Sequence, residues 1–176
     1  MSEMTPEQAT FFLQEMYLGA LKNESRITKS ILAAVPASKS DFRPDPISKS
    51  AIELVRHIAA AEPRFIGAVL TGEFSVAPAG IPDSATPQEV ADIYEQKFAK
   101  DFGALAKATP EQLLKIVDFR GMFQRPAVTF LMMGLHHTIH HRGQLSSYLR
   151  CMGAKVPSIY GESYDAAEAR KAAAQA

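Results

Sequence analysis

The sequence marks the starts of its helices with a repeated capping pattern. A threonine stands directly before a proline, and a glutamine or glutamate follows three places after the threonine, at Thr5, Thr86 and Thr109. Ser50 begins the same pattern without the proline. A hydroxyl N-cap, a proline in the first helical position and a Gln or Glu side chain that folds back satisfy the free N–H groups of a helix start. Four such starts predict a helical chain.

A helical periodicity follows each of these starts. The end of the last long helix is expected at Gly153, because glycine suits a left-handed cap, and its start at Pro126. Pro63 lies inside the second helix and is expected to bend it or to shift its boundary. We predict long helices over residues 6–35, 50–71, 87–107 and 126–152, a short helical turn over 109–114, an extended segment over 116–125, and a C-terminal helix over 166–174.

Long connections separate the predicted helices. Residues 37–48 and 74–85 each contain two prolines, and neither segment has a helical period. Four long helices joined in this way predict an all-α fold, namely a four-helix bundle with long crossover loops and a short C-terminal helix. The chain length suits a single domain over residues 1–176. We expect its core over about 6–160, with a C-terminal tail or helix over 161–176.

Charge and hydropathy exclude several classes of partner. Nineteen basic residues balance nineteen acidic ones, and no Lys/Arg block occurs, so we expect no nucleic-acid partner. The apolar run at 127–135 is too short to span a bilayer, so we expect no membrane contact. Residues 1–10 contain acidic side chains and no apolar core, unlike a signal peptide.

The single cysteine, Cys151, cannot form an intramolecular disulfide and suits a reducing compartment. We therefore expect a cytoplasmic protein. Cys151 lies ten residues after His141, roughly 15 Å along a helix, which is too far to join a site at that histidine. We predict a buried, inert thiol.

The histidines are concentrated in one segment. Four of the five lie inside the last long helix, in a stretch of six residues, at positions 136, 137, 140 and 141. The fifth, His57, lies about eighty residues upstream, inside the second predicted helix. Histidine is the commonest metal ligand and the side chain that titrates near neutral pH. The cluster therefore indicates a metal site more clearly than any particular reaction.

Helical geometry divides the cluster into two pairs. His137 and His141 are four residues apart, as are His136 and His140, so that spacing alone does not choose between the pairs. Gly134 and His141 both lie within about 60° of His137 around the helix, on a largely apolar stripe. The pair at 137 and 141 is therefore favoured as the inward-facing pair, and the other two are expected to be bystanders.

Three further residues lie near the cluster, namely Arg142, Gln144 and Tyr148. Arg142 lies nearly opposite His137 and is expected to make a surface or interface contact. Gln144 and Tyr148 lie on the same side as His137 and could line a pocket, although ordinary packing explains them equally well.

A third ligand would have to come from another helix. His57 lies between Leu54 and Ala61, on the face expected to meet the last helix. A lone histidine is more often a core or boundary residue than a ligand. If His57 does join His137 and His141, three imidazoles leave open coordination positions, as in a catalytic zinc site.

At these residues the chain resembles the DinB-like (DinB/YfiT) family of metal-dependent bundle proteins. The resemblance spans about residues 10–160. It is carried by the loop at 41–46, by residues 50–58 around His57, by residues 137–144, and by residues 148–150 and 153–157 beyond them.

The resemblance implies a ligand role for His57, His137 and His141, with one divalent ion per chain. Zinc or nickel is implied, and three imidazoles also suit iron. It further implies a homodimer. Relatives include thiol-dependent transferases and a thiol-dependent isomerase, so the resemblance implies a small-molecule substrate such as a low-molecular-weight thiol.

Two functions remain open from the sequence. The first is a metal-dependent enzyme, a transferase or a hydrolase. The second is a non-catalytic, metal-stabilised helical module that binds a small molecule or a protein partner. The sequence identifies no dedicated catalytic residue.

Overall fold

The computed structural model describes residues 4–175, and nearly all of its regular structure is helical. Its elements are α1 (Pro6–Phe11), a π-helical segment (Phe12–Tyr17), α2 (Leu18–Ala33), α3 (Ala51–Thr71), α4 (Pro87–Leu105), α5 (Pro110–Leu114), β1 (Ile116–Asp118), β2 (Gln124–Pro126), α6 (Ala127–Cys151) and α7 (Tyr164–Ala173). The all-α fold predicted from the sequence is confirmed.

The capping pattern forms as the sequence predicts. The side chains of Thr5, Ser50, Thr86 and Thr109 each accept a hydrogen bond from the backbone N–H three residues later. The Gln or Glu at that third position folds back to the N-cap backbone in all four cases. These helix starts depend on local chemistry alone, which is why sequence reasoning located them.

The helices match the predicted ranges to within two residues at each end, and one of them differs in its interior. The first long helix passes through the π-helical segment Phe12–Tyr17 and ends at Ala33, two residues before the predicted end. Pro63 does not shift a boundary, since α3 continues through it to Thr71. The predicted extended segment is also found, as the antiparallel pair of β1 and β2.

Two apolar clusters fill the bundle, one towards each end. α2 and α6 begin in the first cluster, with Leu21 and Leu131, and end in the second, with Ile31 and Leu149. α3 and α4 pass through the same clusters in the opposite order. α3 and α4 therefore run parallel to each other and antiparallel to α2 and α6. The connection over residues 72–86 therefore crosses from one end of the bundle to the other, because it joins two parallel helices.

A buried polar layer separates the two apolar clusters. Arg142 of α6 is 1% exposed and forms an ion pair with Glu24 of α2 at 2.5 Å. Its guanidinium also donates to the Thr28 hydroxyl at 3.3 Å and to the Tyr160 hydroxyl at 2.8 Å. Tyr160 in turn donates to Glu24 at 3.2 Å. A buried charge needs such partners, and this one has three.

The prediction that Arg142 makes a surface contact is therefore wrong. The buried face of α6 is centred near Thr138 and Leu145. That direction lies about 100° from His137, since each helical residue advances by that angle. The histidines lie at one edge of the buried face rather than at its centre, and Arg142 lies inside it.

The prediction for Cys151 is also wrong. The thiol is exposed at the C-terminal end of α6, on the side facing away from the buried Leu149 and Met152. Among the described residues, none of the helices is long and apolar enough to cross a membrane.

Gly134 allows α3 and α6 to approach each other closely. A Cβ atom at this position would lie 2.6 Å from the Cβ of Phe65 on α3. Gly134 lies one helical turn before the histidines of α6, and Phe65 lies two turns after His57. The close approach therefore occurs immediately beside the histidines.

Replacing Gly134 by alanine should destabilise the bundle by about 1–3 kcal/mol, because the new methyl group forces α3 away from α6. Gly143→Ala is the matched control on the same helix, since nothing lies within 4 Å of a Cβ there. Gly143→Ala should raise the free energy of unfolding by up to about 1 kcal/mol, because alanine favours a helix more than glycine does. Urea denaturation measures both changes. Equal effects at the two positions would contradict the close contact.

Glu62 of α3 belongs to the buried polar layer as well. It is 2% exposed and accepts a hydrogen bond from the Tyr94 hydroxyl, while its second oxygen, Oε1, has no partner within the described chain. Burial raises the pKa of Glu62 to about 7, although the Tyr94 hydrogen bond and the charge of Arg142 act in the opposite direction. The folded protein therefore keeps the Glu62 carboxyl partly protonated at neutral pH.

This raised pKa predicts a pH-dependent stability. Between pH 4.5 and about 7, the folded state holds a proton on Glu62 that the unfolded state has lost. The free energy of unfolding must therefore fall as the pH rises through this range, by about 3 kcal/mol in all. The Glu62→Gln variant lacks this titrating group. Its free energy of unfolding should therefore fall less between pH 5 and pH 8 than that of the parent protein, by the same amount. Urea denaturation with chelator present measures it, and identical pH profiles would contradict the raised pKa.

Candidate metal centre

The fold brings together His57 of α3 with His137 and His141 of α6. One ring nitrogen from each lies within 4.8 Å of the others. The Nε2 atoms of His57 and His141 are 3.1 Å apart, and the ring centroids of His57 and His137 are 4.8 Å apart. These are the three residues that the sequence predicts as ligands.

Two local features produce this arrangement. His137 and His141 are one turn apart on α6, so their rings project to the same side, with centroids 4.4 Å apart. α3 packs antiparallel against α6, and the contact at Gly134 sets their separation. His57 therefore faces the gap between the two α6 histidines.

Two ring nitrogens of the cluster have the spacing expected of zinc ligands, and the third lies within 4.8 Å of both. A tetrahedral zinc ion with nitrogens at about 2.0–2.1 Å separates those nitrogens by roughly 3.3 Å. The 3.1 Å between His57 and His141 matches that value. Nδ1 of His137 is buried and, within residues 4–175, makes no hydrogen bond. The residues therefore fit a divalent ion.

The surroundings keep these imidazoles neutral, as metal ligation requires. Burial lowers the pKa of His57 to about 4, and the charges of His141, Lys49 and Arg64 lower it further. Burial likewise lowers the pKa of His137 to about 4, with the neighbouring histidines acting in the same direction. The pKa of His141 is also lowered, chiefly by burial.

Gln144 orients His141. Nδ1–H of His141 donates to Oε1 of Gln144 at 2.7 Å. This hydrogen bond selects the tautomer whose Nε2 carries a free lone pair, and that Nε2 faces His57. Sequence reasoning considered Gln144 for a pocket wall and missed this role. The i, i+3 spacing of the two residues is the signal that could have identified it.

The remaining candidates lie outside the cluster. His136 and His140 are exposed and are not among the three grouped ring nitrogens, as predicted. Tyr148 packs edge-on against Phe42, with ring centroids 5.7 Å apart. It therefore contributes to the loop packing before α3.

The cluster is half-buried, and its three members leave room for further ligands. In the described part of the chain, the group contains no cysteine and no carboxylate. A closed structural zinc site has four protein ligands, whereas a site with three keeps a position for water or substrate. The arrangement is that of an open site.

Replacing Gln144 by alanine should weaken zinc binding by about 10–100-fold, because His141 loses the hydrogen bond that fixes its tautomer. Gln144 is exposed, so the fold should keep its stability in chelator. His140→Ala is the matched control, since His140 is exposed on the same helix. Competition with a chromophoric chelator measures both affinities. Unchanged affinity in Gln144→Ala would exclude the orienting role.

The chain resembles known proteins along most of its length. The model of the DinB family matches residues 6–173. The uncharacterized protein YjoA of Bacillus subtilis (strain 168) is 27% identical over 129 residues, which cover 72% of this chain and 82% of YjoA.

Solved structures share the fold. The crystal structure of the DinB-like protein YjoA from Bacillus subtilis has a TM-score of 0.69 at 22% identity, covering 84% of this chain and 99% of that one. A DinB-like protein from Bacillus cereus ATCC 10987 has a TM-score of 0.71 at 25% identity, covering 84% of this chain and 97% of that one. The family match over residues 6–173, on a four-helix bundle of this kind, means that the chain belongs to the DinB family.

Proposed function

We propose that this protein is a metal-dependent enzyme that holds one divalent ion between α3 and α6, through His57, His137 and His141. The observation that carries the proposal is the convergence of three neutral imidazoles, with one nitrogen of each within 4.8 Å of the others. Membership of the DinB family supports it, because the resemblance to that family is what implies a ligand role for these three histidines.

The half-buried position of the histidines favours catalysis over a purely structural role. A ligand set at the edge of the buried face leaves one side of the ion open to a small molecule. A divalent ion bound there supplies Lewis acidity and lowers the pKa of a coordinated water or thiol.

The chain's own residues hold and orient the site. Neutral imidazoles do not reduce the positive charge of an ion, and no carboxylate joins the group within residues 4–175. Gln144 keeps the lone pair of His141 Nε2 directed towards His57. No dedicated general base accompanies the three histidines in this group. This favours a substrate that needs no second deprotonation, such as a low-molecular-weight thiol.

The proposed reaction class is therefore a thiol-dependent transfer, or a hydrolysis, on a small-molecule substrate. Zinc or nickel is the proposed ion, with iron as the third candidate, because three imidazoles suit each of them. A homodimer, as the family resemblance implies, and a cytoplasmic location, as the single cysteine suggests, complete the proposal.

A non-catalytic role is the second candidate, and one observation favours it. The histidines link two helices that are far apart in the sequence, so an ion bound there would stabilise their contact. In that case the ion would act as a structural clamp for a binding module.

Metal content tests the ligand set. Protein purified without an affinity tag should contain about one divalent ion per chain by elemental analysis. Alanine at His57, His137 or His141 should remove it, because two imidazoles bind weakly. Alanine at His136 or His140, the matched controls on α6, should leave the content unchanged. Full metal content in His57→Ala would contradict the site between α3 and α6.

Chelation separates the two candidate functions. An enzyme should lose its activity while its melting temperature falls little, since the apolar clusters hold the bundle. A structural clamp should show a large fall in melting temperature. Activity is sought by combining thiol cofactors with electrophilic substrates, with and without chelator. A large stability loss together with inactivity in every combination would favour the structural clamp.

A further inference from the structure

A groove between α2 and α4 lies away from the histidines. Its volume is about 690 Å³. The histidines belong to α3 and α6, so that the two sites share no helix. The groove is lined by Gly19, Lys22, Asn23, Ser25, Arg26 and Lys29 of α2 and by Tyr94, Glu95, Phe98, Ala99 and Phe102 of α4.

An aromatic row forms the α4 side of the groove. Tyr94, Phe98 and Phe102 are spaced four residues apart, so they lie on one helix face. The rings of Tyr94 and Phe98 are stacked at 6.2 Å, and those of Phe98 and Phe102 are 5.5 Å apart. The Tyr94 hydroxyl donates to Glu62 in the core and Tyr94 is 1% exposed, so the accessible surface of the row belongs to the partly buried Phe98 and Phe102. The row suits a flat apolar body.

A positive edge forms the α2 side of the groove. Lys22, Arg26 and Lys29 occur at intervals of four and three residues, so they also share one face. Lys29 is neutralised by ion pairs with Glu95 and Asp92 of α4.

The other two cations keep their charge unpaired. Within residues 4–175, neither Lys22 nor Arg26 makes an ion pair, and the Arg26 guanidinium donates only to the Asn23 side chain, at 3.3 Å. Two free positive charges therefore border an aromatic surface. A ligand that matches both features has an anionic group and a flat apolar body.

We propose that this groove is a second binding site, which takes a small aromatic carboxylate. The carboxylate lies against Lys22 and Arg26, and the ring system packs on Phe98 and Phe102. Gly19 forms one end of the groove, and nothing lies within 4 Å of a Cβ placed there. A larger side chain at position 19 therefore fills the groove without disturbing the helix.

The test uses 1-naphthoate and its neutral amide, 1-naphthamide, as matched probes. The chain contains no tryptophan, so naphthalene fluorescence is measured without that background. We expect one probe per chain, with 1-naphthoate bound about fivefold more tightly than the amide at low salt, as two exposed charge contacts would give. The double variant Lys22→Gln, Arg26→Gln should remove that preference and leave amide binding unchanged.

Steric variants locate the site. Gly19→Leu should weaken both probes by about tenfold or more, since it fills the groove. Gly103→Leu is the matched control, because Gly103 is also helical, has open space around its Cβ and does not line the groove. It should change neither affinity.

Several outcomes would overturn the proposal. Equal affinity for the acid and the amide would remove the role of the two cations. Loss of 1-naphthoate binding on chelation would assign the carboxylate to the histidines instead. A dimer in sedimentation equilibrium that Gly19→Leu dissociates, with no probe bound to the parent protein, would identify the groove as an interface between copies. Binding in the groove requires no metal at the histidines, so 1-naphthoate should bind equally well with and without chelator.

Discussion

The close packing of α3 against α6 is the contact on which the site depends. At Gly134 the two backbones approach so closely that a Cβ would lie 2.6 Å from the Cβ of Phe65. Because the two helices run antiparallel, this one contact fixes both their separation and their register. His57 consequently lies opposite the pair on α6, although some eighty residues of chain separate them. A side chain at Gly134 would enlarge the distance that an ion between the helices must span.

Local patterns in the sequence predicted the features that depend on local chemistry. The four capped helix starts and the i, i+4 pair of His137 and His141 need no information beyond a few neighbouring residues, and the structure contains them. The third member, His57, required knowledge of which helices pack together. The resemblance to the DinB family supplied that knowledge.

The two wrong predictions concern which side of α6 is buried. A pattern within a few neighbouring residues does not determine that. Arg142 was expected outside because the apolar stripe was centred on His137, whereas the buried face is centred near Thr138. A buried arginine is predictable only with its partners, and those come from α2 and from the segment after α6. Cys151 was expected inside, yet it lies on the uncovered side of α6, while Leu149 and Met152 beside it are buried. In both cases the neighbouring helices decide which side of α6 is covered.

The Tyr160–Arg142–Glu24 contact also has a consequence for the order in which the protein is made. Glu24 leaves the ribosome early, whereas Arg142 is 118 residues further along and Tyr160 is 136 residues beyond Glu24. Contacts this distant in sequence form late and slow folding. During synthesis, α2 and α3 can each pack against α4, but the Glu24 carboxylate has no buried countercharge until α6 emerges. The bundle therefore reaches its final packing only after Tyr160 has been translated.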